Sequence, residues 1–157
     1  MKKKLLFFCV FCIVSCSENN KAFNSEIITS RNGEFNILSL KDSTKIFLQN
    51  KEILEFPKAN QINLYQIIEF GKKDLIILSK ESSSCELNFQ LLILDSNQKY
   101  NAFPEMGTCK DIPEILKKDR SVYFKFINLS RGNLIYKYEN NLLEITENSI
   151  QTAIDSK

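Results

Sequence analysis

The chain contains no histidine and no tryptophan. Histidine is the most common general base at neutral pH and the most common zinc ligand, so a catalytic or zinc site would need other side chains. Carboxylates, Lys, Tyr and Ser remain as candidates, and they form no recognisable catalytic constellation in the sequence. We therefore predict a protein without enzymatic activity, without a metal site and without a cofactor.

Long apolar segments and clustered positive charge are also missing. The longest apolar run covers residues 5–14, whereas a membrane-spanning helix needs about 20 apolar residues. The chain has 21 Lys and Arg against 19 Asp and Glu, but three of the lysines lie at residues 2–4, so the remainder has a formal charge of −1 rather than +2. A near-neutral body without a Lys/Arg cluster in its sequence argues against nucleic acid as the partner.

The N-terminal segment has the pattern of an export signal. Three lysines precede the apolar run, which ends in the tetrapeptide Ile13-Val14-Ser15-Cys16. An aliphatic residue three positions before a cysteine and a small residue directly before it resemble the lipobox of bacterial lipoproteins. The resemblance implies that residues 1–15 are removed as a signal peptide and that Cys16 carries the lipid that anchors the protein in a membrane. The alternatives are an uncleaved anchor and an ordinary signal that is cut elsewhere.

The same resemblance predicts the location of the mature chain, and its composition predicts the layout. Ser17 follows the cysteine, and the absence of Asp at this position favours the outer membrane in enterobacterial lipoproteins. We predict a polar tether at residues 16–33, a β domain at 34–147 and a C-terminal tail at 148–157. The last part of the tether, with its apolar Ile27 and Ile28, is an alternative candidate for a first strand.

Short apolar runs bounded by turn residues predict an all-β fold of antiparallel strands. Most runs alternate between apolar and polar residues, while residues 75–78 and 91–94 are apolar on both faces and predict central strands. A sandwich or an up-and-down barrel is the main expectation, with a propeller-like meander as the third. A helix or a loop is expected at residues 112–118. The predicted strands are residues 34–40, 45–49, 52–56, 62–70, 74–79, 87–95, 99–103, 121–128, 133–138 and 142–146.

Two cysteines remain in the body once the signal peptide and Cys16 are set aside. An even pair in an exported protein predicts a disulfide, here Cys85–Cys109, with a redox-active pair as the alternative. Residues 74–112 resemble a group of exported bacterial domains in which a loop with one cysteine, two strands and a Gly-Thr-Cys turn follow in order. The resemblance implies the same disulfide and an all-β fold. This chain departs from it at Ser82, Ser83 and Ser84, where glycines are expected, and at Glu86, where proline is common.

The loops joined by this disulfide are the predicted binding site. The candidate binding residues are Ser82, Ser83, Ser84, Glu105, Met106 and Gly107. Four carboxylates in the same region offer the pair that glycoside hydrolysis requires, but solvated loop charges are the simpler interpretation. They are Glu81, Glu86, Glu105 and Asp111. The segment from Asp95 to Asn97 is partly similar to a calcium loop, although it lacks the later Gly and Glu and predicts a hairpin turn.

We therefore expect an envelope-anchored binding module, with the lipid membrane as one partner through Cys16 and another protein as the second. Inhibitor or immunity proteins are the analogy in fold and location. The alternative is a carrier of a small ligand or lipid, which would enclose an apolar cavity in a β-barrel. An envelope hydrolase based on the four carboxylates is the third hypothesis.

Overall fold

The computed structural model describes residues 24–57, 61–128 and 132–148, and this part of the chain consists of strands and short connections. The strands pair into three antiparallel sheets of four consecutive strands, with the orders β1-β2-β3-β4, β5-β6-β7-β8 and β12-β11-β10-β9. The all-β prediction is thus confirmed. The strands are β1 Asn24–Ser30, β2 Gly33–Ser39, β3 Ser43–Leu48, β4 Lys51–Pro57, β5 Gln61–Phe70, β6 Lys73–Glu81, β7 Leu87–Asp95, β8 Tyr100–Cys109, β9 Glu114–Lys118, β10 Ser121–Asn128, β11 Gly132–Glu139 and β12 Leu142–Asn148.

The second sheet, β5–β8, lies between the other two. In β6, Ile76 and Leu78 pack against the first sheet, while Leu75 and Ile77 pack against the third. Successive side chains of a strand point to opposite faces, so a strand covered on both faces must be apolar at every position. This confirms the prediction that residues 75–78 and 91–94 lie in central strands.

The two buried layers differ in composition. The layer between the first and second sheets is mainly aliphatic, with Phe35 and Phe56 as its buried aromatic residues. The layer between the second and third sheets contains the buried rings of Phe89, Phe124 and Phe126 and two tyrosines. Several of these rings meet edge to face, for example Phe126 and Tyr136 with centroids 5.8 Å apart.

The sheets are stacked in chain order, as neighbouring blades of a β-propeller are. Each sheet has two edge strands, so the described strands form no closed barrel. In the described residues, the side chains of the two buried layers lie between the sheets. Of the architectures expected from the sequence, a layered sandwich with propeller-like meanders is the one observed.

Three segments differ from the sequence prediction, one of them the loop expected after residue 103, where β8 continues to Cys109. Residues 24–30 form β1, although they were assigned to the tether, so the β domain begins at or before Asn24. The alternative prediction, in which the last part of the tether forms a first strand, is confirmed. Residues 114–118 form β9 rather than a helix, because the tight turn at Asp119 and Arg120 pairs them with β10. The signal peptide, Cys16 and residues 149–157 lie outside the described residues.

The stack has two distinct ends. The turn end carries six hairpin turns, including Arg31-Asn32, Gly71-Lys72 and Asn140-Asn141. The loop end carries other connections, among them the β2–β3 turn and the β6–β7 connection, and the start of β1 at Asn24. Asn140 and Asn141 both have positive φ, which is the type I′ geometry that matches strand twist and that asparagine tolerates. Among the described residues, no helix is long and apolar enough to cross a membrane.

Candidate functional site

The predicted disulfide is present at the loop end. Cys85 and Cys109 are bonded, with their Cα atoms 4.8 Å apart. Cys85 lies in the β6–β7 connection, where it closes a turn on Ser82: the Cys85 amide donates to Ser82 Oγ at 3.1 Å, and Ser82 Oγ donates to the Cys85 carbonyl at 3.2 Å. Cys109 ends β8 with φ of 70°. The bond therefore ties the β6–β7 connection to the last residue of the sheet's edge strand.

The structure distributes the predicted binding residues unevenly. Ser83 and Ser84 are exposed in the β6–β7 connection. Glu105 is exposed on β8, where Lys80 Nζ and Asn88 Nδ2 bind its carboxylate. Met106 is only 1 % exposed and belongs to the core between the second and third sheets. Its side chain cannot contact a partner, because alternation along β8 turns it inward.

Gly107 has a structural reason to be glycine. Its φ is +130°, a backbone conformation that other residues rarely adopt, and an added Cβ would lie 3.3 Å from Asn88 Oδ1 and 3.6 Å from Phe126 Cε1. The pairing of β7 with β8 is irregular here, with register shifts between Leu87 and Phe89. Gly107 thus permits the close approach of β8 to the third sheet.

The four loop carboxylates occupy separate local environments. Glu81 ends β6 and Glu86 lies in the next connection, and both are exposed. Glu105 is paired with Lys80, and Asp111 accepts a hydrogen bond from the Thr108 hydroxyl. Among the described residues, no group of three or more His, Cys, Asp or Glu is placed to hold a metal ion. Asp95 forms the predicted hairpin turn, since its Oδ1 accepts the amides of Asn97 and Lys99 at 2.8 and 3.0 Å.

At the turn end, a polar contact fastens the first sheet to the second. Asp74 is fully buried, and its Oδ2 accepts the Asn32 amide at 2.7 Å. Its Oδ1 lies 3.1 Å from Arg31 Nη2 in an ion pair but accepts no hydrogen bond from the described residues. A buried carboxylate is costly unless a charge compensates it, so Arg31 is needed for this contact. We call Arg31, Asn32 and Asp74 the latch.

The latch also fixes the backbone of the β5–β6 turn. Arg31 Nη2 donates to the carbonyls of Gly71 and Lys73 at 3.1 and 3.0 Å, and Asn32 Nδ2 donates to the carbonyl of Lys72 at 3.2 Å. Three successive carbonyls are therefore held from the neighbouring sheet. Because these hydrogen bonds fix the turn backbone, they also fix the Cα positions of Lys72 and Lys73 at the edge of the second sheet.

These lysines border an open cleft between the second and third sheets. The cleft has two lobes, with volumes of about 380 and 290 Å³, and Lys73, Tyr138 and Asn141 line both. The larger lobe is also bordered by the turns at Gly71-Lys72, Asp119-Arg120 and Asn140-Asn141. The smaller lobe extends toward the β7–β8 turn. We call the two lobes together the turn-end cleft.

Positive charge predominates around the turn-end cleft. Two carboxylates, Asp95 and Asp119, are the acidic residues among those that line it, and Asp95 is occupied by turn amides. The ion pairs of the described residues leave out Lys72, Lys99 and Arg120, which are exposed at its rim. The five cations that line the cleft are Lys72, Lys73, Lys99, Lys117 and Arg120.

The nearby Glu139 does not neutralise Arg120. The pKa of Glu139 is lowered mainly by the hydrogen bond that Lys137 donates at 2.6 Å, then by a hydrogen bond from Ser121, and only weakly by the charge of Arg120. Lys137 and Glu139 form a half-buried pair on β11. Arg120 is therefore not the main partner of Glu139.

The inner wall of the cleft contains a buried tyrosine and offers neutral polar groups. Tyr138 is 1 % exposed, and its hydroxyl donates to Asn141 Oδ1 at 3.3 Å. Lys73 Nζ donates to the same oxygen. Burial raises the pKa of Tyr138, so its hydroxyl stays protonated at neutral pH. Phe70 and Phe103 pack edge to face on the Tyr138 ring with centroids 6.1 and 5.8 Å away.

Lys117 joins this wall from the third sheet. Its Nζ donates to the Glu69 carbonyl at 2.9 Å and lies 5.8 Å from the centre of the Phe70 ring. Pairing of Lys117 with the buried Val122 places it on the inner face of β9, whereas Lys118 pairs with Ser121 and lies on the outer face. The adjacent Lys117 and Lys118 thus have different environments. A substitution of Lys118, which does not line the cleft, can serve as a control for substitutions of the cleft cations.

Sequence reasoning did not find this site. The five cations come from three hairpins, and only Lys72 and Lys73 among them are adjacent in sequence, so the premise that the body lacks a Lys/Arg cluster does not hold in three dimensions. The usable signal was the recurrence of Lys or Arg in three of the hairpin turns. No protein-family model, no curated protein and no solved structure matches this chain.

Proposed function

We propose that the mature chain is an envelope-anchored, non-enzymatic binding module for another protein, of the inhibitor or immunity type. The observation that carries the proposal is the turn-end cleft, where five cations surround a buried inner wall and three of them take part in no ion pair of the described residues. Complementary charge steers association and suppresses wrong partners, so such a surface suits recognition of a protein with an acidic region. No catalytic role for any residue enters the proposal.

The position of the cleft relative to the proposed anchor supports this function. Cys16 lies eight positions before Asn24, and a chain of that length spans at most about 28 Å. Asn24 is at the loop end, and a nine-residue strand such as β7 is about 30 Å long. With Cys16 in a membrane, Asn24 at the loop end stays within that reach of the anchor, and the turn-end cleft lies at the far end of the strands, where a partner has access to it.

The shape of the cleft favours a protein partner over an enclosed small ligand. Its rim consists of exposed turn residues, among them Lys72, Arg120 and Asn140, so a large partner has access to it. Pockets that retain small ligands are concave and mostly apolar, with most of the ligand surface buried. In the described residues, two layers of packed side chains lie between the sheets, and this supports a protein partner over the carrier alternative.

The proposal is tested by capture of an envelope or secreted partner with the lipidated mature protein in detergent. Arg120→Glu and Lys118→Glu make the same charge change, but only Arg120 lines the cleft. We expect a partner that the native protein and Lys118→Glu retain and that Arg120→Glu loses. Capture that is equal for both variants, or no partner from several growth conditions, would contradict the proposal. Equal unfolding midpoints of the two variants would show that the loss is not due to misfolding.

A further inference from the structure

We infer that the turn-end cleft receives an acidic peptide segment, an extended stretch of the partner that carries several separated Asp or Glu side chains. This inference rests on the proposed function and specifies the chemistry of the same site. It is carried by three features of the cleft: the spacing of its cations, the type of donors that they provide, and the two carboxylates among them.

The cations are distributed along the cleft instead of converging on one point. Lys117, Lys72 and Arg120 border the larger lobe, Lys99 borders the smaller one, and Lys73 stands between them. Each lysine is a compact point charge, and Arg120 offers the single guanidinium fork. A site for one phosphate gathers its donors around three oxygens, whereas spaced charges match an anion whose negative groups are also spaced.

The walls of the two lobes combine apolar, charged and neutral polar groups, which suits a segment of peptide. Apolar surface from Phe70 and Phe103 and the exposed ring of Tyr100 alternate with the charged groups. The Asn140 and Asn141 amides and Asn101 add neutral hydrogen-bonding groups that suit a peptide backbone. Apolar and acidic side chains of one segment can both be accommodated.

The carboxylates select against a uniformly charged chain. Asp119 lines the larger lobe and Asp95 lines the smaller one, so a ligand with a negative charge at every unit meets repulsion at two places. A nucleic-acid backbone carries one charge per nucleotide and cannot avoid them. A peptide can present a neutral or basic side chain opposite each carboxylate, and such repulsive elements are a usual source of specificity.

The test measures binding of fluorescent ligands to the full mature chain by anisotropy. The probe is a short peptide with Glu at alternate positions, and the reference peptide has Gln in their place. Single-stranded oligothymidylate and inorganic phosphate serve as competitors. We expect the Glu peptide to bind and the Gln peptide not to bind. Arg120→Glu and Lys72→Glu should weaken binding by about tenfold or more, Lys118→Glu should have little effect, and added salt should weaken it.

Two results would overturn the inference. One is a stronger effect of oligothymidylate or phosphate than of the Glu peptide, since the cleft would then be a site for phosphate groups. The other is an equal loss of binding in Lys118→Glu and Arg120→Glu, since binding would then reflect net charge alone. Arg120→Gln serves as a second, milder variant should Arg120→Glu unfold. If partner capture depends on the cleft but no acidic peptide binds, the acidic segment is wrong and the proposed function stands.

Discussion

At the turn end, the junction between the first and second sheets is closed, and the junction between the second and third sheets is open. Each junction has an arginine in the first hairpin turn of its outer sheet, Arg31 in one and Arg120 in the other. Arg31 faces the buried Asp74 and the carboxylate of Glu69, at 3.1 and 3.2 Å. Arg120 faces a cleft lined by lysines. Arg31 thus holds two sheets together, whereas Arg120, at the equivalent position, leaves its charge available to a ligand.

The difference shows how a repeated architecture acquires a site. Stacked sheets need only complementary apolar faces to form, and both junctions have them. Whether a junction is closed or open at the ends of its strands depends on the charges of a few turn residues. Opposite charges bridge the first junction, whereas cations on adjacent turns border the second, and we expect their repulsion to keep that junction open.

The largest expected difference between the junctions is in their dependence on arginine. Arg31→Met should lower the free energy of unfolding by about 3 to 4 kcal/mol, because it leaves the Asp74 carboxylate buried without a counter-charge. Arg120→Met should change it by less than about 0.5 kcal/mol, as exposed substitutions usually do. Denaturant unfolding of both variants measures this, and equal effects would remove the distinction between a closed and an open junction.

The second prediction concerns the loop end, where the disulfide fixes the last residue of β8 before the chain crosses to the third sheet. Replacing both cysteines by serine should cost about 3 kcal/mol, from the entropy of a loop with a sequence separation of 24. The turn-end cleft lies at the opposite end of the strands. We therefore expect the affinity for the Glu peptide to be retained at temperatures where the variant remains folded. Loss of that affinity in a folded variant would show that the two ends are coupled.

Glycines at the two ends provide a third comparison. Gly107→Ala should destabilise by about 2 kcal/mol, because φ of +130° is unsuitable for alanine and the new Cβ would crowd Asn88 and Phe126. Gly71 also has positive φ, +62°, but a Cβ there would meet nothing within 4 Å. Gly71→Ala should cost about 1 kcal/mol, from backbone strain alone. Thermal unfolding of the pair would show whether close packing at the loop end adds to the strain, and a larger loss in Gly71→Ala would contradict this.

Alternation and turn chemistry were sufficient for most of the fold. In β10, the alternate residues Val122, Phe124 and Phe126 are fully buried, as their spacing predicted. Residues 91–94 are apolar at every position and are buried on both faces of the second sheet, as predicted for a central strand. The signal fails at the edges: β1 buries Ile28 alone, and β9 has only Ile115 partly buried on its inner face. Pairing with a neighbour, rather than a local apolar pattern, makes these segments strands.

The candidate site was less accessible to sequence reasoning, because it is a product of topology. Lys73, Lys99 and Lys117 are far apart in sequence, and only the stacking of sheets in chain order places their turns at one end. Met106 failed as a predicted binding residue for a related reason. The loop expected after residue 103 is instead a continuation of β8, which turns this side chain into the core. The disulfide was predictable because it required only a count of the cysteines that remain in the body.

The smallest expected effect tests whether like charges hold the second junction open. Lys72 and Arg120 belong to adjacent turns and line one lobe, so Lys72→Glu replaces a repulsion by an attraction. Exposed ion pairs contribute little, and we expect the free energy of unfolding to rise by about 0.5 kcal/mol, with a smaller gain at high salt. Lys118→Glu on the outer face of β9 should give no gain. The stabilised variant should at the same time lose the Glu peptide, since a site that binds strongly is often one that its own fold leaves unsatisfied. A variant that loses stability together with binding would show that Lys72 supports the fold. Repulsion between the cations of the cleft would then not be what holds the second junction open.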